Sequence, residues 1–324
     1  MTDHWRLLGD VGGTNIRFGL VRDQRSGEAC EIQEARSWPS DTFPDFEAAL
    51  EQYLTTLGDR FHLSSTAVAA AGPAEPGAVA LTNRNWIITK SALQRIIRPD
   101  IPVRLLNDLE AVAYALPFLP GGAIDWLDDV HPPAVLSGRQ VAINVGTGFG
   151  SATIIRNRDD WICCPAESGH MQLAIRGNSE LALLASLNLE EATVEDVLSG
   201  GGVRRLWYAM TSGDRNKYVA GAHCEAAFDL ANTDTTTNEV RGQFSAFLAR
   251  TAANLVLASA AWDGVLLCGS VALAWAQQAD RDEFRRLFVG ASKMHERLAK
   301  TPVGFIRHHC PAFVGLANVR ITER

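Results

Sequence analysis

The sequence predicts an α/β protein built from two core-bearing units. Three observations carry this. Buried-type strands alternate with helical segments along the chain. A strand–glycine turn–strand unit occurs near the start of each half. The 324 residues exceed what a single hydrophobic core comfortably serves, since cores stop growing at about 250–300 residues.

The elements follow in order. Trp5-Arg6-Leu7-Leu8 reads as a short strand running into Gly9-Asp10-Val11-Gly12-Gly13-Thr14-Asn15. Ile16-Arg17-Phe18-Gly19-Leu20-Val21 alternates and is the returning strand, which puts Gly12-Gly13 in a hairpin turn. Apolar residues at helical spacing predict an amphipathic helix over 46–57. A buried strand over 66–71 closes on Gly72-Pro73, and Leu81-Thr82-Asn83-Arg84-Asn85-Trp86 follows a Pro/Gly-rich turn. Val103-Arg104-Leu105-Leu106 is a further buried strand, ending at Asn107-Asp108 before a helix over 109–116. Pro117, Pro120, Gly121-Gly122 and Pro132-Pro133 mark the domain boundary.

The second half repeats the plan. Gln140-Val141-Ala142-Ile143-Asn144-Val145 is a strand, Gly146-Thr147-Gly148-Phe149-Gly150 a glycine turn, and Ser151-Ala152-Thr153-Ile154-Ile155 the returning strand. Helical spacing recurs over 181–187 and 243–262, and 264–268 is a short strand ending at Gly269-Ser270. The polar stretch 229–241 reads as a mobile loop. Residues 252–276 carry one charge, Asp263, and are long enough to span a bilayer. The turn signal Asp263-Gly264 and the polar Asn254 instead predict a buried helix, a turn and a buried strand.

Composition narrows the function. A net charge of −7 and only four lysines argue against a general nucleic-acid footprint. Six scattered cysteines show no CxxC and no zinc spacing, and Cys163-Cys164 suit neither a normal disulfide nor a ligand pair. Reduced thiols, and a start that leads directly into a strand, make the cytoplasm the expected compartment.

Several motifs carry candidate chemistry. The Asp108 carboxylate stands at a strand-to-helix junction, where α/β sheets bind ligands, and beside a helix N-terminus that favours the ionised form. It reads as a base or simply as a helix cap. Gly9 to Asn15 offers glycines, backbone amides and the Thr14 hydroxyl to phosphate oxygens, with Asp10 able to hold Mg²⁺ through water. It is not a Walker A loop, since neither GxxxxGKS nor GxxxxGKT occurs, nor a dinucleotide fingerprint, because a strand and not a helix follows. Gly146-Thr147-Gly148 repeats it. Glu167 and His170 share a glycine-bearing loop suited to a polyol, or an ordinary surface loop. Glu195 lies near a helix start where Thr193 resembles an N-cap, so a plain first-turn acid is the competing reading. No GxSxG motif is present.

Taken in order, Leu8-Gly9-Asp10-Val11-Gly12-Gly13-Thr14-Asn15, Leu81-Thr82-Asn83 with Trp86, Asn107-Asp108, Gly146-Thr147-Gly148, Glu167-Ser168-Gly169-His170 and Glu195 before Val197-Leu198-Ser199-Gly200 resemble the bacterial glucokinases of the hexokinase superfamily. The resemblance implies a two-lobed actin-like ATPase (ribonuclease H-like) fold, with a cleft between a small domain, 1–118 completed by 308–324, and a large domain, 119–307. It implies phosphorylation of glucose at the 6-hydroxyl, with ATP and Mg²⁺ as cofactors. Asp108 would be the general base. Asn107, Asp108, Glu167, His170 and Glu195 would bind the sugar. Gly9, Asp10, Val11, Gly12, Gly13 and Thr14 would form the first ATP-phosphate loop and Gly146, Thr147 and Gly148 the second, with Gly269 near the adenosine. Glucose and ATP are the expected partners, with no nucleic acid and no membrane, and a homodimer is one open assembly. A zinc-type cysteine cluster, found in the related repressor/ORF/kinase family, is absent from the sequence. Two departures stand out. Ser270 follows Gly269 where a second glycine is usual, and Ala166 and Ser168 flank Glu167 where glycines are usual. Competing expectations are a kinase for another hexose or amino sugar, and a non-catalytic sugar- or nucleotide-binding regulator.

Overall fold

The computed structural model describes residues 4–22, 31–82, 84–133, 136, 138–158, 160–187, 189, 191–210 and 235–321. Asn83, Cys30, Cys224 and the 229–234 part of the expected mobile loop lie outside the described residues. The chain divides into two compact units. One comprises Met1–Pro120, Asn157–Cys163 and His308–Arg324, the other Gly121–Arg156 and Cys164–Arg307.

In the first unit the strands are β1 (His4–Val11), β2 (Asn15–Arg22), β3 (Gln33–Pro39), β4 (His62–Ala70), the short β5 (Ala74–Glu75), β6 (Ala78–Ala80) and β7 (Ile87–Thr89), and β8 (Val103–Asn107). The helices are α1 (Phe46–Leu57), α2 (Lys90–Ile96) and α3 (Asp108–Ala115). The main sheet runs β3-β2-β1-β4-β8, and β5-β6-β7 form a small antiparallel sheet of their own. β1 and β2 make the expected antiparallel hairpin, while β1, β4 and β8 are mutually parallel. Helix α1 forms where its spacing predicts. Asp45 accepts the Ala48 amide at its start, Gly58 ends it at φ 58°, and Phe46, Ala49, Leu50, Tyr53 and Leu57 are buried. These side chains cover one sheet face, with Tyr53 stacked on Phe18 at 5.1 Å between ring centroids.

The second unit adds β9 (Ile124–Trp126), β10 (Arg139–Val145), β11 (Phe149–Asn157) and β12 (Asp160–Ala166). Then come α4 (Gly177–Ser186), α5 (Val194–Val197), α6 (Gly200–Met210), α7 (Thr235–Ser259), β13 (Val265–Cys268), α8 (Ser270–Ala276), α9 (Arg281–Val289), α10 (His295–Ala299) and β14 (Val303–Ile306). The sheet order is β12-β11-β10-β13-β14-β9. Again a hairpin, β10–β11, sits beside two parallel strands. The core gathers around Trp275, whose ring packs against Phe244, Phe284 and Phe305 and whose indole N–H donates to Ser245 Oγ at 2.8 Å. Helix α11 (Pro311–Asn318) follows β14 but belongs to the first unit, where Gly315 lies so close to Ala111 that a Cβ would meet its carbonyl oxygen.

Two expectations are corrected. The stretch 235–241 is not a loop but the first two turns of α7, and Thr237 and Val240 are buried there. The threonine run hid a helix that tertiary packing pays for, because Val240 joins the core one turn before Phe244. The second glycine turn is also shorter than expected, since Phe149 and Gly150 already pair in β11. Residues 252–276 resolve into the end of α7, a turn and β13, as expected, and then into a further helix, α8, over their last seven residues; Asp263 accepts the Gly138 and Arg139 amides. No helix among the described residues is long and apolar enough to cross a membrane.

Candidate active site

The first unit assembles its candidate residues at the C-terminal ends of β1, β4 and β8. The β1–β2 turn closes through the Gly12 amide donating to the Asn15 carbonyl at 2.8 Å. It is held from outside the hairpin. Ser40 Oγ donates to the Gly12 carbonyl at 2.9 Å, the Ser40 amide to the Thr14 carbonyl at 2.8 Å, and Arg84 Nε to the Gly13 carbonyl at 2.7 Å. Asp10 lies one residue inside the strand, directly opposite Arg17. Its Oδ2 accepts Arg17 Nη1 at 2.9 Å and Cys310 Sγ at 3.8 Å. Burial pushes the Asp10 carboxyl above its ordinary pKa, and the Arg17 charge pulls against that.

At the β8–α3 junction the cap is Asn107, not Asp108. Asn107 Oδ1 accepts the Leu109 amide at 2.9 Å, and Glu110 Oε2 reaches back to the Asn107 amide at 2.9 Å, which completes a capping box. Asn107 Nδ2 donates to the Gly72 carbonyl at 2.8 Å, joining this junction to the end of β4. Asp108 is therefore released from capping duty to the first helical position. Its Oδ1 accepts the Leu109 amide at 2.8 Å. The helix N-terminus, expected from sequence to favour the ionised form, does not keep it strongly acidic. Burial raises its pKa to about 6; the Leu109 amide works against this, and the Asp10 charge adds to it. A carboxylate titrating near neutrality accepts a proton more readily than an ordinary aspartate.

In the second unit the Gly146 amide donates to the Gly148 carbonyl at 2.9 Å, making the tight β10–β11 turn. Glu195 is no free first-turn acid: its Oε2 accepts the Phe149 amide at 2.8 Å. Thr193 is the N-cap of α5, with Asp196 closing the capping box, so the cap and the acid are different residues. Glu167 and His170 flank a single helical turn that follows β12, and both side chains are exposed. Neither side chain makes a hydrogen bond among the described residues, so both are available to a ligand. Between them Ser168 is buried, its Oγ donating to Ser151 Oγ at 2.7 Å. Gly269 holds φ 94° at the end of β13, where a Cβ would strike the Val145 carbonyl oxygen at 2.3 Å. Ser270 opens α8 with its side chain exposed.

Sequence reasoning missed Arg17, Ser40, Arg84 and Cys310 around the first turn. Arg17 was readable, because a hairpin turning at Gly12-Gly13 sets position 17 across from position 10. The other three come from distant parts of the chain and left no local signal.

Solved structures share this scaffold. A glucokinase from an Antarctic psychrotroph matches with a TM-score of 0.84 at 26% identity, over 97% of this chain and 98% of that one. A ROK-family glucokinase from Streptomyces griseus, in complex with glucose and AMPPNP, matches in fold with a TM-score of 0.61 at 17% identity, over 97% and 98%. The two sheets of common order, each with a glycine-turn hairpin, are thus those of a sugar kinase with the actin-like fold. The glucokinase family model matches residues 7–322, and a glucokinase from a Chelativorans species is 31% identical over 317 residues, 96% of this chain and 90% of its own length. The chain belongs to the glucokinase family, and its activity is ATP-dependent phosphorylation of glucose.

Proposed function

We propose that the chain transfers the γ-phosphoryl group of ATP to the 6-hydroxyl of glucose with Asp108 as general base. The observation that carries this is the Asp108 carboxyl itself, freed from capping by Asn107 and raised to about 6 by burial. Glucose O6 attacks the γ-phosphorus, the bond to the β-phosphate oxygen breaks, ADP leaves, and the O6 proton passes to Asp108. Phosphoryl transfer is mainly positioning and charge stabilisation, so the remaining residues hold the substrates. Glu167, His170 and Glu195 receive sugar hydroxyls. Asn107 contributes the one amide N–H that its bond to Gly72 leaves over.

The Gly9–Thr14 turn and Gly146-Thr147-Gly148 present backbone amides to the nucleotide phosphates, and Gly269 borders the adenosine. Bound Mg²⁺ would supply neutralisation of phosphate charge. Asp10 fits an outer-sphere role, since its Oδ2 is committed to Arg17 and Cys310 while Oδ1 makes no hydrogen bond among the described residues. A kinase that draws on ATP belongs where ATP is made, and the cytoplasm is the compartment proposed.

One observation favours keeping other hexoses in the test. Ser168 pins the sugar loop to β11 through a buried hydroxyl pair, where the family usually has a glycine. The decisive assay couples ADP release to glucose, mannose, fructose and glucosamine in turn, with ATP or polyphosphate as donor and Mg²⁺ present. Glucose with ATP should give the highest kcat/KM. A higher kcat/KM for another sugar or donor would replace the substrate assignment, and sugar binding without turnover would remove the catalytic one.

A further inference from the structure

The two oxygens of Glu195 have different fates. Oε2 accepts the amide of Phe149, the first residue after the Gly146-Thr147-Gly148 turn, at 2.8 Å. Oε1 makes no hydrogen bond among the described residues. The carboxylate is also wedged between glycines of two separate loops. A Cβ on Gly148 would stand 2.6 Å from Oε2, and one on Gly169, in the Glu167–His170 loop, 3.3 Å from the same oxygen and 2.5 Å from the Phe149 carbonyl oxygen. Side-chain carbons do not approach an oxygen to 2.6 Å, so the glycine at 148 is the space in which the carboxylate sits.

The segment bearing Glu195 is stitched to the same turn a second time, the Gly200 amide donating to the Gly146 carbonyl at 2.8 Å. Buried Ser199 braces it from behind. Its Oγ donates to the Glu195 carbonyl at 2.7 Å and accepts the Gly202 amide at 3.0 Å. Residues 195–202, the 146–149 turn and the 167–170 loop are therefore tied through one carboxylate.

We infer that Glu195 couples the two substrates: a sugar hydroxyl on its open Oε1 sets, through Oε2 and the Phe149 amide, the form of the turn that receives nucleotide phosphates, so each ligand tightens the other. This rests on the proposed roles of Glu195 as a sugar ligand and of the turn as a phosphate site. Ser199 is then a positioning residue, one that touches neither substrate. Coupling of this kind is reciprocal, one factor acting in both directions.

The test is calorimetric titration of the full chain with glucose and with AMPPNP·Mg²⁺, each alone and in the presence of the other. In the unmodified protein each ligand should tighten the other by the same factor, about 5–150-fold. Gly148→Ala places its methyl on the nucleotide turn, yet should weaken glucose binding measured without nucleotide, by about 10–100-fold, the worth of one charge-assisted hydrogen bond. Ser199→Ala should bring the coupling factor towards one while changing each ligand's separate affinity less. If Gly148→Ala fails to unfold cooperatively, Ser199→Ala carries the test alone. A coupling factor of one in the unmodified protein, or an unaltered factor in Ser199→Ala, overturns the inference. Glu195→Gln separates the two layers. Unchanged glucose affinity in that variant removes the sugar-ligand role on which the inference rests, whereas lost affinity with an unaltered factor in Ser199→Ala removes only the coupling.

Discussion

The hairpins β1–β2 and β10–β11 are one device built twice and charged in two different ways. Each is antiparallel, closes on a glycine turn and lies beside a parallel strand. Each turn is entered through a similar tripeptide, Asp10-Val11-Gly12 in one and Asn144-Val145-Gly146 in the other. A thiol faces the first residue of each at 3.8 Å, Cys310 Sγ towards Asp10 and Cys268 Sγ towards Asn144. In the first hairpin the negative charge is part of the strand, and register brings its counter-charge, Arg17, directly across. In the second the strand residue is a neutral amide, and the carboxylate at the turn is Glu195, from a helix 46 residues further on. In the first hairpin the acid finds its counter-charge within the hairpin, although Ser40 and Arg84 hold the turn's carbonyls from outside. An imported acid makes the turn report on whatever else that acid touches.

The third parallel strand sharpens the contrast. β8 leads into α3 and delivers Asp108, whereas β14 leads into α11, which joins the first unit and brings no equivalent acid. The largest expected effect follows from that asymmetry. Asp108→Asn should lower kcat by about 10²–10⁴ with the fold intact, and turnover like that of the unmodified protein would end the general-base assignment. In the unmodified protein kcat/KM should fall as pH drops through about 6, where Asp108 takes up a proton. Stability should run the other way. The folded-state pKa lies above the unfolded one, so this group's stabilising contribution is full below the ordinary aspartate range and lost as pH rises through about 6. Asp108→Asn should therefore be more resistant to urea at pH 7.5, by on the order of 2–3 kcal/mol, and no different near pH 3.5. Equal unfolding midpoints at pH 7.5 would contradict the buried, high-pKa carboxylate.

Next in size is the charge pair of the first hairpin. Arg17→Met leaves Asp10, 15% exposed, without its counter-charge. Arg17 is itself 38% exposed, and solvent screening reduces the cost to about 1–2 kcal/mol. Adding Asp10→Asn converts the first hairpin to the neutral pattern of the second and should recover most of that loss in urea unfolding. A double variant as unstable as the single one would show that the pair was not the source. The smallest effect concerns the sugar loop. Ser168→Ala removes the buried bond to Ser151 and should cost about 1 kcal/mol of stability. It should also raise KM for glucose more than it changes kcat, and unaltered KM values across the hexoses would remove this serine from specificity.

Much of the fold was legible because it is written in periodicity. The β1–β2 alternation, the 46–57 helical stripe and the β8–α3 junction all follow from spacing and turn residues within a dozen positions. The N-terminal turns of α7 were not legible, because their burial depends on where Val240 lands in the core and not on local propensity. At the junction, sequence located the acid and left two duties open for it, base or helix cap. Either Asn107 or Asp108 satisfies the cap chemistry, and only the backbone path assigns the cap to Asn107.

The sequence by itself determined the α/β class, the two glycine-turn hairpins and which residues are candidates for the chemistry, since those depend on short-range pattern and residue type. Tertiary structure alone decided that Asp108 is buried enough to titrate near neutrality, and that Glu195 is bound to the Phe149 amide. Desolvation and long-range hydrogen bonding depend on which distant atoms arrive, and no local stretch of chain encodes that.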